Sequence, residues 1–452
     1  MNLLILASPL MATRTPTSYT RHRQKAAVRR RRIVLLLVLA TALVVVGGAM
    51  AWPRGEDPTS SQVALVPAKA KAKDKANADA QQPAEQAQTT AAAVAAEGDG
   101  AADGGVPVDP NQILPDWEPS PQAKAAIATA LANGRPPQFI VSSFDGAADY
   151  RMYQRWLKVA DEVGARFTFF VSGIYMLLPE KKDAYQPPQA PRGFSNLGGY
   201  AELAGPKSAA ENLVDNVADF NTARALGHEI GSHYVSHLCE QSDAWSSAEW
   251  VSEQSQWEQF MLDPAGVNGL SNIPAPIYTK QDFHGGRTPC LSGNKPLLYD
   301  AMKQVGFEYD ASQAGILGAW PTKQQGLWNF AMPSIKRVGS KYDTLAMDYN
   351  FYVNHGQAET QAQADEFEQT TYQSYMNAIN SLYRGNRAPY ITGSHFANWN
   401  KGAYMNALER TLRDACTRPE TACVNFITLA RWLDEQTPAQ LAKWNAGTFK
   451  QS

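Results

Sequence analysis

From Phe139 onward, short apolar runs alternate with longer stretches in which apolar side chains recur every three or four residues. That alternation restricts the chain to an α/β fold, a parallel barrel or open sheet with helices between its strands. Residues 139–141 form the first apolar run. A turn follows, and then residues 150–163 place Tyr153, Trp156, Leu157 and Ala160 on one helical face before the stop at Gly164. Residues 167–171 and 228–231 read as short buried strands, and 213–226 and 248–262 as helices. Further units are predicted at 283–287 with 297–305, at 307–311, at 345–350 with a long helix inside 361–383, and at 389–392 with 404–413. One domain, 136–436, accommodates all of this, with 437–452 left as a C-terminal tail. The stretch 179–205 is too long for a plain connection and is a candidate wall of a substrate cleft.

The N-terminal part has a different texture. Residues 1–32 hold eight Lys and Arg and no acidic residue, and they run into residues 33–52, twenty uncharged and mostly apolar residues. Such a segment is long enough to cross a bilayer, and the basic flank puts the N-terminus in the cytoplasm and the rest outside it. Ala49-Met50-Ala51 also has the small-x-small form of a signal cleavage site, so a single-pass anchor and a form secreted after cleavage behind Ala51 both remain open. Residues 53–135, rich in Ala, Lys and Gln, read as a disordered tether ending at Pro136-Pro137. Without the basic tail, the formal charge of −2 becomes −10, which excludes a phosphate-binding footprint and makes nucleic acid an unexpected partner.

All four cysteines lie beyond the apolar segment, where disulfides persist. Three pairings are formally open. Cys416 with Cys423 is favoured because it closes a short loop around Pro419.

Three of the seven histidines fall within residues 227–237, Gly-His-Glu-Ile-Gly-Ser-His-Tyr-Val-Ser-His. Two imidazoles four residues apart, His233 and His237, can converge on one divalent metal, most readily Zn²⁺, and leave positions open for water. The run resembles the second motif of the polysaccharide deacetylase family, the NodB homology domain of carbohydrate esterase family 4 type, which supplies both metal-binding histidines. Gly286-Arg287-Thr288-Pro289 resembles the third motif, whose arginine orients the catalytic aspartate. Asp348 falls where the fourth would lie. Ile391-Thr392-Gly393-Ser394-His395 resembles the fifth, whose histidine is the general acid. The resemblance spans about residues 137–436 and implies a distorted (β/α) barrel with these motifs at the C-terminal ends of its strands. It also places Cys239 and Cys290 on one rim, where they would pair.

The first motif departs from the family's Thr-Phe-Asp-Asp-Gly, because this chain has Ser143-Phe144-Asp145-Gly146. In one alignment Asp145 is the general base and Gly146 replaces the third metal ligand, with Asp149 or water completing the sphere. In the other, Asp145 is the ligand and Phe144 replaces the base. Neighbouring strand residues face opposite ways, so only one can hold, and the first is preferred. Trp320, Trp328, Tyr349 and Trp399 are candidate sugar platforms, Trp399 foremost.

The resemblance implies a metal-dependent hydrolase that removes N- or O-acetyl groups from an extracellular or cell-wall polysaccharide. Asp145 would be the base, His395 the acid, Arg287 and Asp348 their partners, and His233 and His237 the ligands. The rival reading is a non-catalytic glycan-binding envelope protein on the same barrel. A third is a hydrolase of a non-sugar amide.

Overall fold

The computed structural model describes residues 113–197 and 207–449. The basic tail, the apolar segment 33–52 and the tether up to residue 112 lie outside the described residues. Among the described residues no helix is long and apolar enough to cross a membrane.

The chain enters with helix α1 (Pro121–Ala132) and then β1 (Gln138–Asp145), which is buried along its whole length, as befits a central parallel strand. Helix α2 (Tyr150–Val163) leads to β2 (Thr168–Val171), α3 (Ala209–Ala225) to β3 (Glu229–Ser232), and α4 (Ser247–Leu262) with the short α5 (Pro264–Asn268) to β4 (Gly285–Gly286). Helix α6 (Lys295–Val305) leads to β5 (Tyr309–Asp310). Five short strands follow: β6 (Ala314–Ile316), β7 (Thr322–Gln324), β8 (Leu327–Asn329), β9 (Met332–Lys336) and β10 (Asp343–Leu345). The remaining elements are α7 (Asp348–His355), α8 (Gln361–Arg384), β11 (Tyr390–His395), α9 (Ala403–Cys416), β12 (Thr421–Cys423), α10 (Phe426–Asp434) and α11 (Pro438–Asn445).

The main sheet runs β11-β1-β2-β3-β4-β5-β8-β7, with β12 also pairing with β1, and every pair but β7 with β8 is parallel. A second sheet is ordered β10-β9-β6; no strand is predicted for β6 or β9, and β10 meets the strand predicted at 345–350 only at Leu345. The strands of residues 314–336 are three to five residues long, too short for a periodic signal.

Phe144 lies in the core, with Trp156 of α2 at 4.6 Å and Phe169 of β2 at 5.5 Å between ring centroids. Helix α2 matches its predicted bounds. Asp149 caps its N-terminus, and Gly164, left-handed at φ 63°, ends it. Helix α3 begins earlier than predicted because Ser208 and Glu211 form a capping box.

Three expectations are corrected. The predicted tether does not extend to Arg135. The Leu114 N–H donates to the Ala225 carbonyl (3.0 Å), Asp116 is buried, and α1 buries Ala123, Ala126 and Ala130. Alanines three and four apart let a helix approach closely despite a low apolar content, so composition alone misread it. The expected tail beyond residue 436 contains α11, whose Trp444 stacks on Trp432 (5.2 Å) and Trp320 (5.7 Å). Residues 345–350 are not a strand, because β10 ends at Leu345 and Asp348 opens α7, a position at which the helix dipole favours an acidic side chain.

Candidate active site

Parallel pairing brings the sequence motifs to one end of the sheet. Asp145, the last residue of β1, is paired in register with His395, the last of β11. His233 directly follows β3, Arg287 directly follows β4, and the Arg287 N–H donates to the Ser232 carbonyl (2.9 Å). All four therefore lie at the C-terminal ends of two neighbouring strand pairs, β11-β1 and β3-β4, separated by β2, where open backbone ends and loops build sites in α/β folds.

Ser143 and Asp145 face the same way on β1, and both are met by Arg287. Its Nη1 donates to Ser143 Oγ (2.8 Å) and Asp145 Oδ1 (2.7 Å), while Nε donates to the Ala311 carbonyl (3.1 Å). The guanidinium is fully buried and lies over the Phe170 ring at 4.7 Å. Burial alone would raise the Asp145 pKa, yet Arg287, His233 and His395 together hold it below the usual carboxylate value. Phe144 is therefore core and Asp145 carries the ion pair, an arrangement compatible with the preferred alignment, in which Asp145 is the base.

The site also explains Gly393 of β11. A Cβ there would lie 3.1 Å from Arg287 Nη1 and 2.7 and 2.8 Å from the ends of Met332 and Met347. The thioether ends can move aside, but the guanidinium is pinned by three acceptors. Gly393→Ala is therefore expected to lower catalytic turnover by ~10- to 100-fold, the usual cost of displacing a catalytic group by a fraction of an ångström to an ångström. The check is kcat measured beside the melting temperature. Unchanged turnover would show that the Arg287 position is not critical.

His395 is held from behind by Asp348. Its ring Nδ1 donates to Asp348 Oδ1 (2.8 Å) and its backbone N–H to Oδ2 (2.7 Å), which leaves Nε2 for the cleft. Burial opposes the charged imidazole, but the charge and hydrogen bond of Asp348, helped by Asp145, raise the His395 pKa above 6.5. A depressed carboxylate and an elevated imidazole on adjacent strand ends can take one proton and give another.

The other two histidines of the candidate site, His233 and His237, are pushed toward the neutral form. Burial drives His233 down to about 3 and, with His395, also lowers His237. His233 donates its Nδ1 proton to the Arg287 carbonyl (2.8 Å), which leaves Nε2 as a lone pair, and the two rings are 5.5 Å apart. A fixed tautomer with a free nitrogen is what a divalent metal requires of imidazole. These two residues fit a metal, and among the described residues no free carboxylate or thiolate groups with both of them as a third ligand. Gly146 turns the chain at φ 66°, and the Asp149 carboxylate is engaged by the Arg151 and Met152 amides and the Arg151 guanidinium, which corrects its candidacy. His237, Cys239 and Cys290 have candidate ligand atoms within 4.8 Å of one another, but the sulfurs are joined in a disulfide and offer no thiolate.

Both disulfides are as expected. Cys239–Cys290 ties the loop after β3 to the loop after β4, and Cys416–Cys423 joins the end of α9 to β12. Trp399 lies 5.2 Å from the His395 ring, parallel to Tyr352 at 5.2 Å and 5.6 Å from Tyr349, so it borders the site with two tyrosines. Trp320 and Trp328 are not platforms. They are buried, and their indole N–H groups donate to the Asn386 carbonyl and to Asp434. Sequence reasoning gave no role to Ser143 or Gly393, and the only available signal was alternation with Asp145 on β1 and a place in the fifth motif.

No family model and no curated protein matches this chain. Solved structures do. A Mycobacterium smegmatis protein assigned as a polysaccharide deacetylase is 16% identical, covering 67% of this chain and 93% of its own, with a TM-score of 0.39. The Puue allantoinase is 14% identical (66% and 92% covered, TM-score 0.39). A CE4 family pseudoenzyme from Bacillus anthracis is 9% identical (62% and 61% covered, TM-score 0.32). None of these likenesses carries a reaction over to this chain.

Proposed function

We propose that this chain is a hydrolase of the polysaccharide deacetylase type, built on a distorted (β/α) barrel. It would remove N- or O-acetyl groups from a cell-wall or other extracellular glycan. It acts outside the cytoplasm, anchored by residues 33–52 or released by cleavage behind Ala51. The observation that carries the reading is the pair of oppositely tuned groups at adjacent strand ends, Asp145 whose ionised form is favoured by Arg287 and His395 whose protonated form is favoured by Asp348.

A divalent cation, zinc foremost, would be held by His233 and His237, and when bound it supplies polarisation of the acetyl carbonyl and acidification of water. The protein's own part is proton handling and positioning. Asp145 accepts the proton of the attacking water, and Arg287 keeps that carboxylate ionised and aimed. His395 donates from Nε2 to the departing amine or alcohol, with its ring oriented by Asp348. Tyr349, Tyr352 and Trp399 give the sugar rings an apolar face to lie on.

The glycan-binding reading is favoured by one observation, the glycine at position 146 in place of a carboxylate. The test is acetate release by the full chain from N-acetylglucosamine oligomers, peptidoglycan and acetylated xylan. Release that falls with a chelator and returns with zinc is expected. No release from any of them by folded protein, with glycan binding retained, would replace the hydrolase with the binding protein.

A further inference from the structure

The loop from Ser232 to His237 carries both candidate ligands yet is neither helix nor strand after its first residue, so its shape is imposed from outside. Tyr234 sits at φ 56°, a left-handed conformation that a bulky side chain keeps only where its surroundings fix it. The backbone donors show what fixes it. His233 N–H reaches the Val171 carbonyl (2.9 Å), and Tyr234 N–H reaches Ser232 Oγ (3.0 Å). The next two, Val235 N–H (3.1 Å) and Ser236 N–H (3.4 Å), converge on a single side-chain oxygen, Glu253 Oε1 of α4.

Glu253 is fully buried between Trp250 and Trp257 on the inward face of α4. A carboxylate is costly in such surroundings and persists only when its acceptors are filled. Here they are filled by the loop and by Tyr185, whose hydroxyl donates to Glu253 Oε2 (2.8 Å) and is 2.6 Å from Ser236 Oγ. The neighbouring residue, Gln254, accepts from the Ser232 hydroxyl (2.7 Å). Two consecutive residues of one helix thus grip the loop at its start and its middle.

We propose that Glu253 is a positioning residue, a buried template that sets the loop so that His233 and His237 face a common point. The proposal rests on reading these two imidazoles as a metal-binding pair, and it deepens that reading by naming what spaces them. Glu253 acts through the Val235 and Ser236 amides and, by way of the Tyr185 hydroxyl, on Ser236 Oγ.

The test uses the full chain as wild type, Glu253→Gln, Glu253→Ala and Tyr185→Phe, each confirmed folded by its melting curve. The first readout is metal-free, the nitrogen-edited NMR signals of the His233 and His237 rings. Wild type should show His233 with its proton on Nδ1, and Glu253→Ala should shift or average both ring signals. The second readout is zinc affinity by calorimetry, expected to weaken ~10- to 100-fold in Glu253→Ala, the range found when partners behind metal ligands are removed. A smaller loss is expected in Glu253→Gln, which keeps one acceptor. Tyr185→Phe should lose about threefold, so the effect remains readable if the alanine variant does not fold. Unmoved ring signals and unmoved affinity in folded variants would overturn the proposal. Moved ring signals in a protein whose wild type binds no zinc would uphold Glu253 as the template and refute the metal reading instead.

Discussion

Asp145→Asn is expected to slow acetate release by about 10³-fold, within the range that loss of a positioned general base produces, in a chain that still folds. Asparagine keeps an acceptor for Arg287 Nη1 but has no basicity, so water activation is lost while the contact of 2.7 Å survives in part. Stability should suffer as well. The Arg287 guanidinium is buried, and removing its counter-charge costs on the order of 3 kcal/mol, the lower end for a broken buried pair because the amide still accepts. The pH dependence follows from the direction of the shift. The Asp145 pKa is lowered from 3.8, so its contribution to stability is fully present above 3.8 and is lost as pH falls through the still lower folded value. The acid limb of the wild-type stability curve should therefore be steeper than that of the variant. Acetate assays and melting curves across roughly pH 3 to 7 read both effects. A folded Asp145→Asn protein with wild-type turnover would remove Asp145 from the role of base.

Much of this site was legible in the sequence because its chemistry is local. His233 and His237 are four residues apart, and Arg287 and His395 lie in short motifs. What could not be read is what tertiary pairing decides. The two alignments of the first motif differ in whether Asp145 is the base or a metal ligand, a matter of which neighbours reach its carboxylate. What tertiary pairing adds is that Arg287 reaches Asp145 while Phe144 packs on Trp156. Glu253 left a faint trace, a charged residue at a core-facing position between Trp250 and Trp257, where helical spacing calls for an apolar one. Asp149 looked like a ligand by proximity in sequence, whereas its N-cap role is the commoner use of an aspartate before a helix. The fold was misread where periodicity is weakest, in the alanine stripe of α1 and in the short strands of residues 314–336.

Asp348→Asn is the sharpest test of the acid. Asp348 gives His395 two acceptors at once, one for the ring and one for the backbone, and its charge is the largest of the causes that raise the imidazole above 6.5 against burial. An amide can serve one of those donors but supplies no charge, so burial is then opposed chiefly by Asp145 and the imidazole pKa falls from its raised value. His395 works protonated, and its contribution to the rate is lost as pH rises through its pKa. The alkaline limb of kcat/KM, above pH 6.5 in the wild type, should therefore move to lower pH in the variant. At neutral pH, turnover should drop ~10²-fold, because less of the acid is protonated and its ring has lost the acceptor that orients it. Stability changes with the same sign. A group with a raised folded pKa stabilises fully below its unfolded value of 6.5, and that contribution fades as pH climbs through the folded value. The wild type should therefore lose its melting advantage over Asp348→Asn on the alkaline side. An alkaline limb at the same pH in both proteins would mean that His395 does not supply the proton. The acid would then have to be sought among the other groups bordering the cleft, with Tyr349 the first to replace by phenylalanine, since its ring lies 6.3 Å from His395.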